Sequence, residues 1–175
     1  MNILITAIGS MSALCAINKL QEAGHKVIGC DIYPKEWHFE AFCCDVFAQA
    51  PYANTKEYIP FLIDLAKKEN VKYIFPLTDL EIDVINEHRE IFEKNDLVVC
   101  ISSSETLCVA RDKYALFTVF ENDEQVLSVP TLIEGDDLNR MSYPCVAKPR
   151  NGRSSEGLFF LQGKEQLSNI GDMTN

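Results

Sequence analysis

Strand-like and helix-like segments alternate through the first hundred residues, and this alternation restricts the fold more than any other feature of the 175-residue sequence. Asn2–Ile8 is a short apolar run rich in β-branched residues, the pattern of a buried strand. Ser10 then stands where it can cap a helix with Leu14, Ile17 and Leu20 on one side and Gly24 at its end. Lys26–Ile32 reads as a second strand, the 37–42 stretch as an irregular or short helical link, and Asp45–Phe47 as a short third strand. Thr55 is placed to cap a helix through Asn70, followed by a strand at Val71–Phe75, a helix at Asp79–Lys94 and a strand at Leu97–Ile101. Parallel strands need crossover connections, so this order predicts an α/β fold: a Rossmann-like parallel sheet with helices on both faces. Ile3, Ile5, Ile28, Ile74 and Val99 are expected in its core.

The pattern changes after a helical stretch at Ser102–Ala110. Asp112–Glu121 reads as helix and Val126–Ile133 as extended chain. Cys145–Lys148 and Leu158–Leu161 read as two short strands whose connector is too short for anything but an antiparallel hairpin, and Gly163–Ile170 as the start of a helix. A hairpin and one helix cannot bury both their faces. The expected organisation is therefore a complete domain at 1–108 and the first, incomplete part of an α+β domain at 109–175. Apolar surface on that second part would allow a homo-oligomer.

Charge narrows the function classes. Sixteen Lys and Arg stand against 26 Asp and Glu, a net charge of −10, which repels phosphate backbones and anionic lipid. Neither nucleic acid nor membrane is an expected partner, and no apolar run reaches the roughly 18 residues of a membrane span. Seven cysteines without a C-x-x-C pair point to thiols in a reducing cytoplasm. The histidines (His25, His38, His88) lack metal-ligand spacing, and His38 with Cys43 and Cys44 makes at most half a zinc site. No metal site is expected within the chain.

Two regions could carry chemistry. Gly9 and Ser10 close the first strand and open a helix, where parallel sheets bind ligands, and Asp31 ends the second strand 22 residues after Gly9. Met11 and Leu14 break the G-x-G-x-x-G pattern, because a bulky side chain blocks the backbone's approach to a pyrophosphate. Thr78-Asp79-Leu80-Glu81 follows the fourth strand; it fits a capping box, and its acids also fit a substrate crevice above the sheet. The second region is basic: Lys148, Arg150 and Arg153 lie within six residues and flank the loop Asn151–Gly157, which contains Gly152, Ser154, Ser155 and Gly157. Such a loop offers N–H groups and hydroxyls to a polyphosphate while the cations neutralise it. Lys148 sits in an apolar run, where an ammonium needs a partner. Lys113 opens a helix, an unfavourable place for a cation unless it holds phosphate. The loop is not a Walker A motif, since Leu158-Phe159 follows Gly157.

The series Gly9, Thr78-Asp79-Leu80-Glu81, Asp112-Lys113, Val129-Pro130-Thr131 and Tyr143-Pro144-Cys145-Val146-Ala147-Lys148-Pro149-Arg150 with its Gly/Ser loop resembles the ATP-grasp superfamily. Within it, the likeness is to the carbamoyl phosphate synthase large-chain type of ligase. The resemblance covers essentially the whole sequence but only the first part of the family's catalytic unit. It implies a pre-ATP-grasp domain followed by the start of an ATP-grasp domain. It further implies ATP-dependent ligation of a small-molecule carboxylate to an amine through an acyl phosphate, with ATP and Mg2+ as cofactors. ATP binding would fall to Lys113, Lys148, Arg150, Asn151, Gly152, Arg153, Ser154, Ser155 and Gly157, and substrate binding to Gly9, Ser10, Asp31, Thr78, Asp79 and Glu81. The family's metal ligands would lie beyond residue 175, leaving this stretch inactive alone. The alternatives are a non-catalytic nucleotide- or small-ligand-binding module and a Rossmann-type oxidoreductase.

Overall fold

The computed structural model describes residues 1–152 and 154–167. Arg153 and the end of the expected last helix lie outside the described residues. Two compact units divide the chain, Met1–Ile101 and Ser102–Asn175.

In the first unit five strands form one parallel sheet: β1 (Asn2–Ile5), β2 (Lys26–Asp31), β3 (Val46–Gln49), β4 (Val71–Phe75) and β5 (Val98–Val99), in the order β3-β2-β1-β4-β5. β1 is central; Ile5 pairs with Gly29 on one side and Phe75 on the other. Alternation along the strands sends side chains to two cores. Leu4, Ile28 and Ile74 pack with α3 (Tyr58–Lys68), α4 (Asp79–Glu87) and α5 (Arg89–Lys94). Ile5 and Val27 pack with α1 (Ala13–Glu22) and α2 (Phe39–Cys43) on the other face. Ile3, Ile5, Ile28 and Ile74 are buried as expected; Val99 is half-buried on the short last strand. Burying such a side chain contributes about 1.5–3 kcal/mol.

Several boundaries differ from the sequence reading for local reasons. The chain turns at residues 6–12 before α1 begins, because Ala7 takes a left-handed φ of 48°. Ser10 therefore precedes the helix, and its carbonyl accepts the Ala13 N–H. The Thr55 hydroxyl donates to the Tyr52 carbonyl instead of capping α3, which starts three residues later. The expected 79–94 helix is two helices, broken at His88, whose Nδ1 lies 2.8 Å from the Val84 carbonyl oxygen.

In the second unit, α6 (Ser104–Arg111) is capped by Ser103, whose hydroxyl accepts the Thr106 N–H. α7 (Lys113–Phe120) is capped by Asp112, which accepts from Tyr114 and Ala115. β6 (Cys145–Ala147) and β7 (Phe159–Leu161) form the expected antiparallel pair, with Val146 opposite Phe160. Leu161 is the buried member of this unit among the described residues, while Leu127, Val129 and Phe160 stand exposed. No helix among the described residues is long and apolar enough to cross a membrane.

Candidate functional site

At the centre of the sheet β1 leads to α1 on one face and β4 leads to α4 on the other. This divergence is the topological switch point, where open α/β sheets leave a crevice at the carboxyl ends of their strands. Thr6 N–H still donates to the Phe75 carbonyl, so the two strands stay joined up to that mouth. The sequence-predicted substrate residues line up along this edge in two groups.

The first group is Gly9 with Asp31. Asp31 Oδ2 accepts the Gly9 N–H at 2.9 Å, Oδ1 accepts the Tyr33 N–H at 3.1 Å, and His38 Nε2 lies 3.2 Å from Oδ1. A buried carboxylate is expensive without such partners. Asp31 thus ties the loop after β1 to the loop after β2. A Cβ on Gly9 would fall 2.5 Å from His38 Cε1, so glycine is required here by the imidazole that covers it. His38 is also tilted against Tyr33, which stacks on the exposed Trp37 at 5.4 Å. Ser10 stands at the same turn, its hydroxyl 3.4 Å from that of Ser12.

The second group is Thr78, Asp79 and Glu81. The expected capping box does not form, since the Thr78 side chain bonds no backbone N–H of α4. The Thr78 hydroxyl instead donates to Glu81 Oε2 at 2.7 Å, and the Tyr58 hydroxyl, from α3, donates to Glu81 Oε1 at 2.7 Å. Glu81 is 8% exposed and Tyr58 1%. Burial, followed by the negative charge of Glu81, drives the Tyr58 phenol far above its ordinary range. The Cys30 thiol is pushed well up by burial, with Glu81 and Asp31 adding to it. Sequence reasoning missed Tyr58. Its signal was a tyrosine on an apolar helical stripe, whose hydroxyl must find a partner when buried.

The basic hairpin is the second candidate region. Lys148 lies one residue past β6 and is exposed, so the expected burial of its ammonium does not occur. Arg150 is engaged: Nε lies 2.6 and 2.7 Å from the two Asp112 oxygens and Nη2 lies 2.6 Å from Oδ2. Arg150 is therefore already paired within the protein. Its hydrogen bonds, with those from Ala115 and Tyr114, hold the Asp112 carboxyl down at about 2. Lys113 Nζ donates to the carbonyls of Arg150 (3.2 Å) and Gly152 (2.6 Å). Gly152 and Gly157 pack on the Pro149 ring, which leaves no room for a Cβ at 157. Ser154 and Ser155 hold left-handed φ angles of 51° and 60°, uncommon for residues other than glycine. Asn151 is exposed at the start of the turn. Lys113, Arg150 and the loop are thus brought together, with Lys148 at the hairpin's base.

The profile of the family described as "PylC-like, N-terminal domain" matches residues 3–100, and the chain belongs to that family. No curated protein matches the sequence. Among solved structures, the biotin carboxylase domain of Hydrogenobacter thermophilus 2-oxoglutarate carboxylase, in complex with MgADP, ADP and bicarbonate, is similar at 17% identity and a TM-score of 0.72. The match covers 98% of this chain and 40% of that one. Campylobacter jejuni biotin carboxylase gives 21% and 0.70, over 97% and 40%. Bacillus licheniformis L-amino acid ligase gives 16% and 0.65, over 99% and 42%. The chain spans about two fifths of the length of these proteins. The α/β fold and the ATP-grasp resemblance read from the sequence both stand.

Proposed function

We propose that this chain is the N-terminal part of an ATP-dependent carboxylate–amine ligase. The observation that carries the reading is the hairpin of Lys148 and residues 150–157, anchored to the start of α7 by Lys113 and Arg150. Similarity to structures that hold ADP, or that ligate amino acids, supports it.

The hairpin fits a polyphosphate. Lys148 is exposed, and Lys113 has committed two of its three N–H donors to carbonyls, leaving one. Arg150 keeps donors beyond those Asp112 accepts. When bound, ATP would supply a phosphoryl group that converts a carboxylate to an acyl phosphate open to attack by an amine. Lys113 and Lys148 would neutralise phosphate charge, and the left-handed turn at Ser154-Ser155 would present its N–H groups and hydroxyls. Arg153, assigned to the same task, lies outside the described residues. Among the described residues no three His, Cys, Asp or Glu side chains gather into a metal site. No step is therefore assigned to Mg2+ through them.

The substrate side is assigned to the crevice of the first unit, with Gly9, Ser10, Asp31, Thr78, Asp79 and Glu81. Within it Asp31 works as a brace and Glu81 as the group facing the ligand. A carbamoyl phosphate synthase-like chemistry and a cytoplasmic setting complete the reading; the free cysteines suit the latter. The experiment is to supply the full-length protein with Mg-ATP, candidate carboxylates and amines, and to follow phosphate release. Release that needs both substrates and vanishes in Lys148→Ala is the expected result. Binding of a nicotinamide cofactor without ATP turnover would replace the reading with an oxidoreductase.

A further inference from the structure

Asp31 and Glu81 are the two buried carboxylates of the first unit among the described residues, at 7% and 8% exposure. They have been provided for differently. Asp31 accepts two backbone N–H donors, and the His38 imidazole lies 3.2 Å from it. Glu81 has only two neutral hydroxyls, from Tyr58 and Thr78. No lysine, arginine or histidine among the described residues pairs with it. Neutral donors satisfy hydrogen bonds, but they do not offset a full charge removed from water. A carboxylate offers about four acceptor positions, so two stay open on Glu81.

Position supports the same conclusion. Glu81 stands in the first turn of α4, which follows the carboxyl end of β4, the strand paired directly with β1. That is the side of the sheet on which the switch-point crevice opens. The chain's net charge of −10 favours cations at any such opening.

We infer that Glu81, held by Tyr58 and Thr78, seats the ammonium group of the ligand that enters this crevice. The inference rests on the crevice being the substrate side of a ligase and names its ligand as a primary amine. An ammonium brings three donors and one positive charge, which the two open acceptor positions of Glu81 can receive. Tyr58 is a positioning residue that fixes the carboxylate.

The test uses the full chain with 15N labelling and no nucleotide. Its amide spectrum is followed during titration with n-butylammonium chloride, n-butanol and potassium chloride at matched ionic strength. The expected result is saturable shifts at residues 58 and 78–82 with butylammonium. Potassium should bind about tenfold more weakly or less, the weight of one charge-assisted hydrogen bond, and butanol should leave these signals unmoved. Glu81→Gln keeps the shape and should lose saturation. If that variant does not fold, the three wild-type titrations decide. Butanol acting as well as butylammonium, potassium acting equally, shifts that never saturate, or saturation retained in Glu81→Gln would each overturn the seat. Because no nucleotide is present, failure here leaves the ATP reading standing, and failure of ATP binding leaves this result standing.

Discussion

The imidazole of His38 fills the space that a side chain at Gly9 would need, with Cε1 2.5 Å and Nδ1 2.6 Å from the position of a Cβ. The other ring nitrogen of His38 lies 3.2 Å from the Asp31 carboxylate, which also accepts the Gly9 N–H. The turn that opens α1 and the loop that follows β2 are therefore one interlocked piece.

Gly9→Ala should destabilise the protein by about 1–3 kcal/mol, the usual cost of overpacking. His38→Ala in the same chain should relieve most of that loss, because residues in direct contact couple. Urea unfolding of the two single variants and the double variant measures the coupling. Additive losses would show that the clash is not with His38.

Tyr58→Phe removes one donor from a buried carboxylate while keeping the ring. A loss of about 1–3 kcal/mol is expected, since an acceptor left unsatisfied in the interior bears its desolvation cost. Chemical denaturation reads it. An unchanged midpoint would mean that water replaces the hydroxyl, contrary to the burial of both groups.

Asp112 is held at about 2 against an ordinary 3.8, chiefly by its hydrogen bonds with Arg150. A carboxyl whose folded pKa is depressed stabilises the fold fully above its unfolded value and loses that contribution as pH falls through the folded one. The Asp112–Arg150 anchor should thus persist down to acid conditions and release between 3.8 and about 2. A carboxyl 13C titration of Asp112 follows this. In Arg150→Gln the midpoint should rise toward the ordinary value; an unmoved midpoint would assign the depression to the helix N–H groups alone.

Cysteine reactivity should separate by environment. Cys15 and Cys108 are exposed, whereas burial, with Cys43 and Asp45 beside it, pushes the Cys44 thiol up to about 12, and Cys30 is fully buried. The thiolate is the nucleophile. At mildly alkaline pH, iodoacetamide should therefore modify Cys15 and Cys108 first and Cys30 and Cys44 last, read by peptide mass spectrometry. Early labelling of Cys44 would contradict the packing around Gly29, whose Cβ would fall 2.5 Å from Cys44 Sγ.

The strand and helix order was legible because hydrophobic periodicity is local, and Leu4, Ile28 and Ile74 reached the core for that reason. What was not legible depended on contacts across the chain. The requirement at Gly9 comes from His38, 29 residues away in sequence, and not from its own backbone. Thr78 and Glu81 have the spacing of a capping box, yet Tyr58 draws Glu81 inward, and the carboxylate receives both hydroxyls instead. Lys148 was misjudged because β6 ends one residue earlier than the apolar run suggests, leaving the ammonium in water. The basic loop itself was visible as composition; its tie to Asp112 spans 38 residues and was not.

The assignment of the Lys148 hairpin to nucleotide is tested most directly by titrating the 15N-labelled chain with Mg-ATP. The account predicts shifts confined to Lys113, Lys148 and residues 150–157. They should be lost in Lys148→Ala and kept in Lys26→Ala, whose side chain pairs with Glu69 in the other unit. Shifts centred on Gly9 and Asp31, or binding indifferent to Lys148→Ala, would contradict it.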